Sequence, residues 1–304
     1  MPRRVPRMSM RELVADLVPD GQQLLIGGFA FGDPMALAHE IVRQRRTGLD
    51  VLKTSGGVLV DLLVGAGCVA ELAFCHVWNS VGPEPAHAFR RAVEGGHPNR
   101  PAIEELSFGA MTMGLAAGAL GLPFMPTTPV TLSGHDLVRR RWPDKLGTVT
   151  SPFGDGELVS VARAITPRIG IFHVQRVDEF GNGQVFGPTA ELRYAIGACE
   201  RIVLVAEEVV ATEVVRERPE LTVVPGFAVE AVVVEPWAAH PTDSSGYYRR
   251  DLDHHIDYGA ATATVEGFED YVRDWIDGTD DHPGFLARLG GDRLAALALR
   301  DRWW

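Results

Sequence analysis

The sequence predicts an α/β fold: one open, largely parallel sheet with helices on both faces. Three observations carry that expectation. Short apolar runs of strand length alternate with stretches of helical period along most of the chain. Strand followed by helix at this spacing calls for crossover connections, which cover a parallel sheet on both sides. The 33 glycines and 20 prolines are spread through the chain instead of pooled in a linker, as they are where tight turns join many elements. With 46% hydrophobic and 23% charged residues, the composition excludes disorder, collagen-like repeats and coiled coil.

Taken in order, Leu24-Leu25-Ile26 reads as a buried strand, and residues 34–46 as a helix with Pro34 near its first position. Residues 50–54 make the next strand, followed by a Gly-Gly turn and a short helix through Leu62-Leu63-Val64. A third strand covers 69–76, helix 85–93, a fourth strand 102–106 and a small-residue-rich helix 108–120. An extended stretch begins at 123–126, and the polar span 127–156 has no clear period, which predicts a long functional loop. Alternation resumes with a strand at 169–174, a helix at 190–199, and strands at 201–206 and 232–234. No linker divides the chain, so residues 1–304 are read as a single unit with an N-terminal helical region (1–20) and a C-terminal helical extension (265–304).

Lys and Arg number 29 against 40 Asp and Glu, a formal charge of −11. Such a surface repels phosphate backbones. The basic clusters Arg3-Arg4, Arg43-Arg45-Arg46 and Arg139-Arg140-Arg141 are short and lack interleaved aromatics, so they read as solvated helix ends and nucleic acid is excluded. The longest apolar run, residues 115–122, is too short and Gly-rich to span a bilayer, and the charged N-terminus has no apolar stretch behind it. Three cysteines (Cys68, Cys75, Cys199) form no C-x-x-C pair, which argues against disulfides and zinc and for a cytoplasmic location.

The first motif is Ile26-Gly27-Gly28-Phe29-Ala30-Phe31-Gly32-Asp33-Pro34, a strand running through a Gly-rich turn into a helix. Glycines there let a ligand approach the backbone, and a helix N-terminus offers N–H groups to an anion; a tight structural turn is the alternative. It is not a dinucleotide fingerprint: the glycine spacing fails, and Lys53-Thr54 stands where an acidic residue belongs. Thr54-Ser55-Gly56-Gly57, Trp78-Asn79-Ser80-Val81-Gly82 and Glu104-Glu105-Leu106-Ser107 end the next three strands. In open parallel sheets the ligand crevice lies beyond the strands' carboxyl ends, so four strands deliver polar or glycine residues to one edge. Glu105 is the candidate catalytic carboxylate, with an ordinary solvated Glu as the alternative; Glu207-Glu208 carries the same ambiguity. No G-x-S-x-G elbow exists, so a serine-hydrolase triad is not expected. His254-His255 is expected on a solvent-facing helix and His240 beside a turn, with no metal site.

Together these motifs resemble the alpha (A) chain of the family I coenzyme A transferases, in the branch that includes glutaconate CoA-transferase. The resemblance runs from about Met10 to Ile276 and rests on Ile26-Gly27-Gly28-Phe29 with Gly32 and Pro34, on residues 120–127, and on His173-Val174-Gln175-Arg176-Val177-Asp178-Glu179-Phe180-Gly181-Asn182, similar to the family's H-x-Q-R-x-D-x-x-G-N. Ala239-His240-Pro241-Thr242 and Gly246-Tyr247-Tyr248 are similar to this branch as well. The resemblance implies a NagB/RpiA-like fold and an active site shared with a B (beta) subunit, in a heterodimer or heterotetramer. A glutamate of that partner attacks an acyl-CoA thioester, and CoA passes through a glutamyl thioester to a second carboxylic acid. CoA thioester is then a substrate, and neither metal nor permanently bound cofactor is required.

The partner's glutamate lies in a Ser-Glu-Asn-Gly-like turn, a tetrapeptide this chain lacks, so this is expected to be the non-nucleophilic half. The resemblance assigns it Gly27, Gly28, Phe29, Gly32, Ser55, Gly56, Asn79, Ser107 and Gln175 as substrate or CoA contacts. One departure matters: Thr127-Thr128-Pro129-Val130 has no Arg where dicarboxylate-using members place one, which allows a more apolar acyl group. An acyl-CoA hydrolase or decarboxylase on the same scaffold, with Glu105 as base, is the alternative reading. A non-enzymatic CoA- or metabolite-binding module is the alternative of another class.

Overall fold

The structure, a computed structural model, describes residues 3–79, 81–127, 144–154 and 156–299. Thirteen strands run in chain order among them: β1 (Arg7–Met8), β2 (Gln23–Ile26), β3 (Leu49–Gly56), β4 (Val69–Val77), β5 (Ala102–Glu105), β6 (Phe124–Pro126), β7 (Leu146–Thr150), β8 (Leu158–Arg163), β9 (Ile169–Val177), β10 (Gly183–Gln184), β11 (Arg201–Val209), β12 (Thr222–Val224) and β13 (Val229–Val234). The helices are α1 (Met10–Leu17), α2 (Met35–Arg43), α3 (Val58–Gly65), α4 (His87–Arg90), α5 (Phe108–Ala119), α6 (Leu192–Ala198), α7 (Thr212–Glu217), α8 (Leu252–Ala261), α9 (Val265–Val272), α10 (His282–Leu289) and α11 (Gly291–Leu297).

The main sheet has the order β1-β13-β11-β9-β2-β3-β4-β5, and every neighbouring pair on that path is parallel. The chain builds outward from β2 through β3 and β4 to β5, then returns to lay β9 on the other side of β2. The order therefore reverses between β2 and β9. Connections leave these two strands in opposite directions, which opens a crevice at their carboxyl ends.

Strand alternation sorts the core into two layers. Ile169, Ile171, Val203 and Val205 face one cluster with α2, α3 and the C-terminal helices, through Leu37, Ile41, Leu59, Tyr258, Phe268 and Tyr271. Phe172, Val174, Ile202, Leu204 and Ala206 face the other, under Met111 and Leu115 of α5 and Ala195 and Ile196 of α6. The predicted open parallel sheet with helices on both faces is thus observed. The small residues of α5 have a packing cause: a Cβ on Gly118 would meet Ile165 O at 2.2 Å, and one on Gly114 would meet Arg163 O at 2.9 Å.

Several boundaries differ from expectation. The helix expected over 85–93 is one turn, α4, continued by a π-helical turn Arg91–Gly95 that ends on left-handed Gly96. The span read as a loop over 127–156 contains β7, which joins β6 and β8 in a separate antiparallel sheet; residues 128–143 and 155 lie outside the described residues. β10 adds antiparallel pairing to β9 and β12. β7, β10 and β12 are two- to five-residue strands outside the strand–helix alternation, so no pattern marks them in the sequence. Among the described residues no helix is long and apolar enough to cross a membrane. The three cysteines are free, and burial pushes each thiol up to about 12.

Candidate functional site at the β2–β9 switch point

β2 runs into the glycine turn while still paired with β9, Gly27 N–H donating to Ile171 O at 2.9 Å. A Cβ at Gly27 would lie 2.5 Å from the Phe172 ring. Gly28 has φ +98°, and a Cβ there would sit 2.2 Å from Asp33 Oδ1 and 2.8 Å from Gly32 O. The turn folds onto itself, with Phe29 N–H donating to Phe31 O at 3.1 Å. Its peg is Lys53 on β3. Nζ donates to Gly28 O at 2.5 Å and to Asp33 Oδ1 at 2.9 Å, and both side chains of this ion pair are fully buried. Burial raises the Asp33 carboxyl above its usual range, against the pull of Lys53 and Arg250. Arg250 also donates to Ala30 O. Gly28 is therefore demanded by its backbone conformation and by packing around the Asp33–Lys53 pair, and Gly27 by its contact with the Phe172 ring.

Across the switch point, the face of β9 and β11 that is apolar at Ile171 and Val205 becomes polar two residues later, at His173 and Glu207. His173 Nε2 lies 2.7 Å from Glu207 Oε1. Tyr248 O–H donates to the same oxygen at 2.5 Å, and Trp237 N–H donates to Oε2 at 2.6 Å. With the carboxylate as acceptor, His173 Nε2 carries the proton and Nδ1 is the other ring nitrogen, 3.3 Å from where a Cβ on Gly32 would stand. Gln175, two residues on, accepts from Phe186 N–H at 3.1 Å. Glu191 is held by the Thr54 hydroxyl, which donates to Oε1.

The crevice between these elements is lined by Gly28, Phe29, Phe31, Gly32, His173, Gln175, Phe186 and Glu191, with a free volume of about 40 Å³. Beyond Phe29 an aromatic ledge runs along the strand ends. Phe29 meets Phe108 edge-to-face at 5.3 Å and His76 at 5.8 Å, and His76 meets Trp78 at 6.0 Å. Trp78 is 54% and Phe108 41% exposed. Burial, with Lys53 nearby, lowers the His76 pKa, which keeps the ring neutral at pH 7.

Of the residues singled out in the sequence, Gly28, Phe29, Gly32 and Gln175 meet in the crevice, and Gly27 lies at its floor beside Phe172. Ser55 is buried next to it, bridged to Phe29, with Oγ 2.9 Å from His76 Nε2. Gly56 packs against Val77 and Val60. Asn79 is buried and tied to Val81 N–H and His255 O. Ser107 caps α5 by accepting from Ala110 N–H at 3.1 Å. Glu105 is exposed at the end of edge strand β5, outside the crevice. Lys53 and Glu191 were not picked out as site residues, and Glu207, noted only as an ambiguous carboxylate beside Glu208, was not expected to pair with His173. A Lys inside an apolar strand run was the available signal for the first; the partners of the others are 137 and 34 residues away in sequence.

The expectation of a solvent-facing His254-His255 is corrected. Both are buried, and burial pushes them down to about 3 and about 4. The ligand atoms of His240, Asp251 and His254 lie within 4.8 Å of one another. Asp251, however, accepts two hydrogen bonds from Arg293, both at 2.7 Å, and one from His240 at 2.9 Å. The guanidinium supplies the positive charge a metal ion would bring, so this grouping is a structural ion cluster.

Comparison with known proteins follows the same outline. The family model described as Coenzyme A transferase matches residues 7–235. The chain is 33% identical over 291 residues to an uncharacterized protein of Archaeoglobus fulgidus, covering 94% of this chain but only 62% of that longer protein. It is 30% identical over 282 residues to the A chain of the 3-oxoadipate CoA-transferase of Pseudomonas knackmussii, covering 93% of this chain and 97% of the relative. It is similar to the A chain of the glutaconate CoA-transferase of Acidaminococcus fermentans, at 30% identity over 302 residues, covering 95% and 93% of the two chains. The crystal structure of glutaconate coenzyme A-transferase from that organism superposes with a TM-score of 0.87 at 29% identity, covering 96% of this chain and 95% of the other. A glycine turn, a switch-point crevice and a family match spanning both lead to one conclusion: the chain belongs to the coenzyme A transferase family.

Proposed function

We propose that this chain is the A half of a heteromeric CoA-transferase, and that the attacking carboxylate is supplied by a partner B subunit. The observation that carries the proposal is the state of the carboxylates around the crevice. Glu207 already accepts three hydrogen bonds, Glu191 is buried and tied to Thr54, and Glu105 stands exposed outside. A nucleophile must approach a thioester carbonyl freely, and none of these three is placed to do so. A free volume of about 40 Å³ holds a few waters and no acyl group, which fits a site completed at an interface.

In the proposed reaction the partner's glutamate attacks the acyl-CoA carbonyl, the C–S bond breaks, and CoA leaves as a thiolate. The thiolate attacks the glutamyl carbonyl of the resulting anhydride and releases the first carboxylate. A second carboxylate attacks the glutamyl thioester and expels the thiolate, giving a new acyl-glutamyl anhydride; the thiolate then attacks its acyl carbonyl, forming the new thioester and releasing the glutamate carboxylate. No net proton or electron is consumed, so the exchange requires no redox cofactor. This chain supplies walls and orientation. The Lys53–Asp33 pair holds the glycine turn, and the ledge of Phe29, His76, Trp78 and Phe108 offers an apolar surface. That ledge supports an apolar acyl group, in line with the missing cation after Thr127; residues 128–130 lie outside the described residues.

The test is trapping. The purified pair is treated with acyl-CoA and then with borohydride or hydroxylamine. Modification of a single glutamate on the partner chain is the expected result. Turnover that produces free acid and CoA from water, without any trapped partner, would overturn transfer in favour of hydrolysis.

A further inference from the structure

A larger cavity, of about 660 Å³, lies where the residues leading into edge strand β1 meet the turn after β9, helix α7 and the turn before β13. It shares no lining residue with the crevice. The second half of the 173–182 stretch builds its wall. Asp178 accepts from Phe180 N–H at 3.0 Å, from Asn182 N–H at 2.9 Å and from Asn182 Nδ2 at 2.8 Å. Gly181 has φ +86°, and a Cβ there would stand 2.7 Å from Val5 Cγ2. Asn182 Oδ1 accepts from Gly226 N–H at 3.0 Å, and a Cβ on Gly226 would stand 2.1 Å from Phe180 O. These contacts fix the turn that carries Phe227, which lines the cavity and is 94% exposed. Val5, Phe180, Val215 and Val229 make the rest of the apolar wall.

The charged residues of this lining are Arg3 and Arg216, both exposed, and no carboxylate stands among its described residues, in a chain whose net charge is −11. The acids nearby are engaged elsewhere. Glu220 accepts from Arg218, and Glu230, whose carboxyl feels Arg3, accepts two hydrogen bonds from Arg201 at 2.5 Å. In the adjoining cleft Glu179 is bound to Arg4 at 3.0 Å, and Glu213 is accompanied by Arg7. Arg216 has no ion-pair partner among the described residues. The ligand's chemistry follows. A cation is repelled by both guanidinium groups, a neutral oil leaves them unmatched, and a polyphosphate has no apolar surface for the walls. A carboxylate on an apolar body meets both demands, since a guanidinium takes a carboxylate on paired N–H donors. A volume of about 660 Å³ is in the range of small-ligand sites, and uncovered apolar surface rimmed by polar residues marks a binding surface. We propose that this cavity binds an amphipathic carboxylate, its chain lying against Phe180, Val215 and Phe227 and its head held by Arg216 and Arg3. The inference does not depend on the CoA-transferase reading.

The test measures, by calorimetry, binding of three probes of one chain length to the full chain: octanoate, octanol and octylammonium. Octanoate is expected to bind best and octylammonium worst. Arg216→Gln and Arg3→Gln are each expected to weaken octanoate by about fivefold and to leave octanol unchanged. Phe227→Ser is expected to weaken octanoate and octanol alike, by about tenfold. All three side chains are exposed, so melting temperatures without probe should stay at the parent value. Equal affinity for the three probes overturns the proposal, because the arginines then select nothing. Octanoate binding that is unchanged in all three variants also overturns it and places the bound acid elsewhere. Absence of octanoate binding, with a Phe227→Ser chain whose assembly has a lower mass by sedimentation, overturns it and assigns the face to a protein contact.

Discussion

Acidification from about pH 7 to about pH 5 is expected to destabilise this protein steeply, because its C-terminal helices bury neutral histidines. Burial, with neighbouring positive charge, holds His254 near 3, His255 near 4 and His282 near 4, and pushes His39 well below its usual value. The rings pack on one another and on aromatics: His240 lies 5.1 Å from His254, and His39 and His282 lie 4.7 and 5.8 Å from Phe285. In the unfolded chain each titrates near 6.5. Between about pH 6.5 and pH 4 the unfolded state therefore binds more protons than the folded one, and stability falls as pH falls. At pH 5 each of the three valued histidines costs about 2 kcal/mol, or roughly 6 kcal/mol together. That is comparable to the whole stability of an ordinary domain, roughly 5–15 kcal/mol. Above about pH 7 all are neutral in both states and the effect vanishes. Urea denaturation followed by tryptophan fluorescence at half-unit pH steps reads the slope, about 4 kcal/mol per pH unit near pH 5. Replacing His282 with Asn removes one titrating group and should lower that slope by about a third. A flat profile between pH 7 and pH 5, or a slope unchanged by the substitution, would refute the reasoning.

Three further outcomes are expected. Lys53→Met leaves Asp33 buried without its cation and should cost about 3–5 kcal/mol by urea denaturation; a loss under about 1 kcal/mol would show that the ion pair is not what holds the turn. Gly28→Ala places a Cβ 2.2 Å from Asp33 Oδ1 at φ +98°, so the melting temperature should fall together with activity. Full stability with lost activity would instead make the glycine a ligand contact. Glu105→Ala is expected to change kcat of the assembled enzyme by no more than severalfold, since the side chain is exposed and outside the crevice. A drop of orders of magnitude would restore it as a catalytic base.

The strand–helix alternation was legible because buried parallel strands are apolar along their whole length and each is followed by a helix. The same logic located the glycine turn, which follows the carboxyl end of β2 in the sequence itself, whereas Gln175 came from the resemblance carried by residues 173–182. Local pattern could not show what else the candidate residues hold: Ser107 caps α5 by accepting from Ala110 N–H, and Asn79 ties the end of β4 to α8 by donating to His255 O. His254-His255 looked solvated because aspartates flank them, but only the packing of α9 and α10 over α8 decides which face of that helix is inside.

The sequence by itself determined the layer architecture, the glycine turn and the lack of a dinucleotide fingerprint, because these depend on residues close together along the chain. Tertiary structure alone decided that β9 lies beside β2. That pairing joins the Gly27-Gly28 turn to His173 and Gln175, about 145 residues downstream, and Thr54 to Glu191, 137 residues apart. Sheet order is set by which faces bury together and by connection geometry, neither of which leaves a mark at any single position. The crevice is a property of that order.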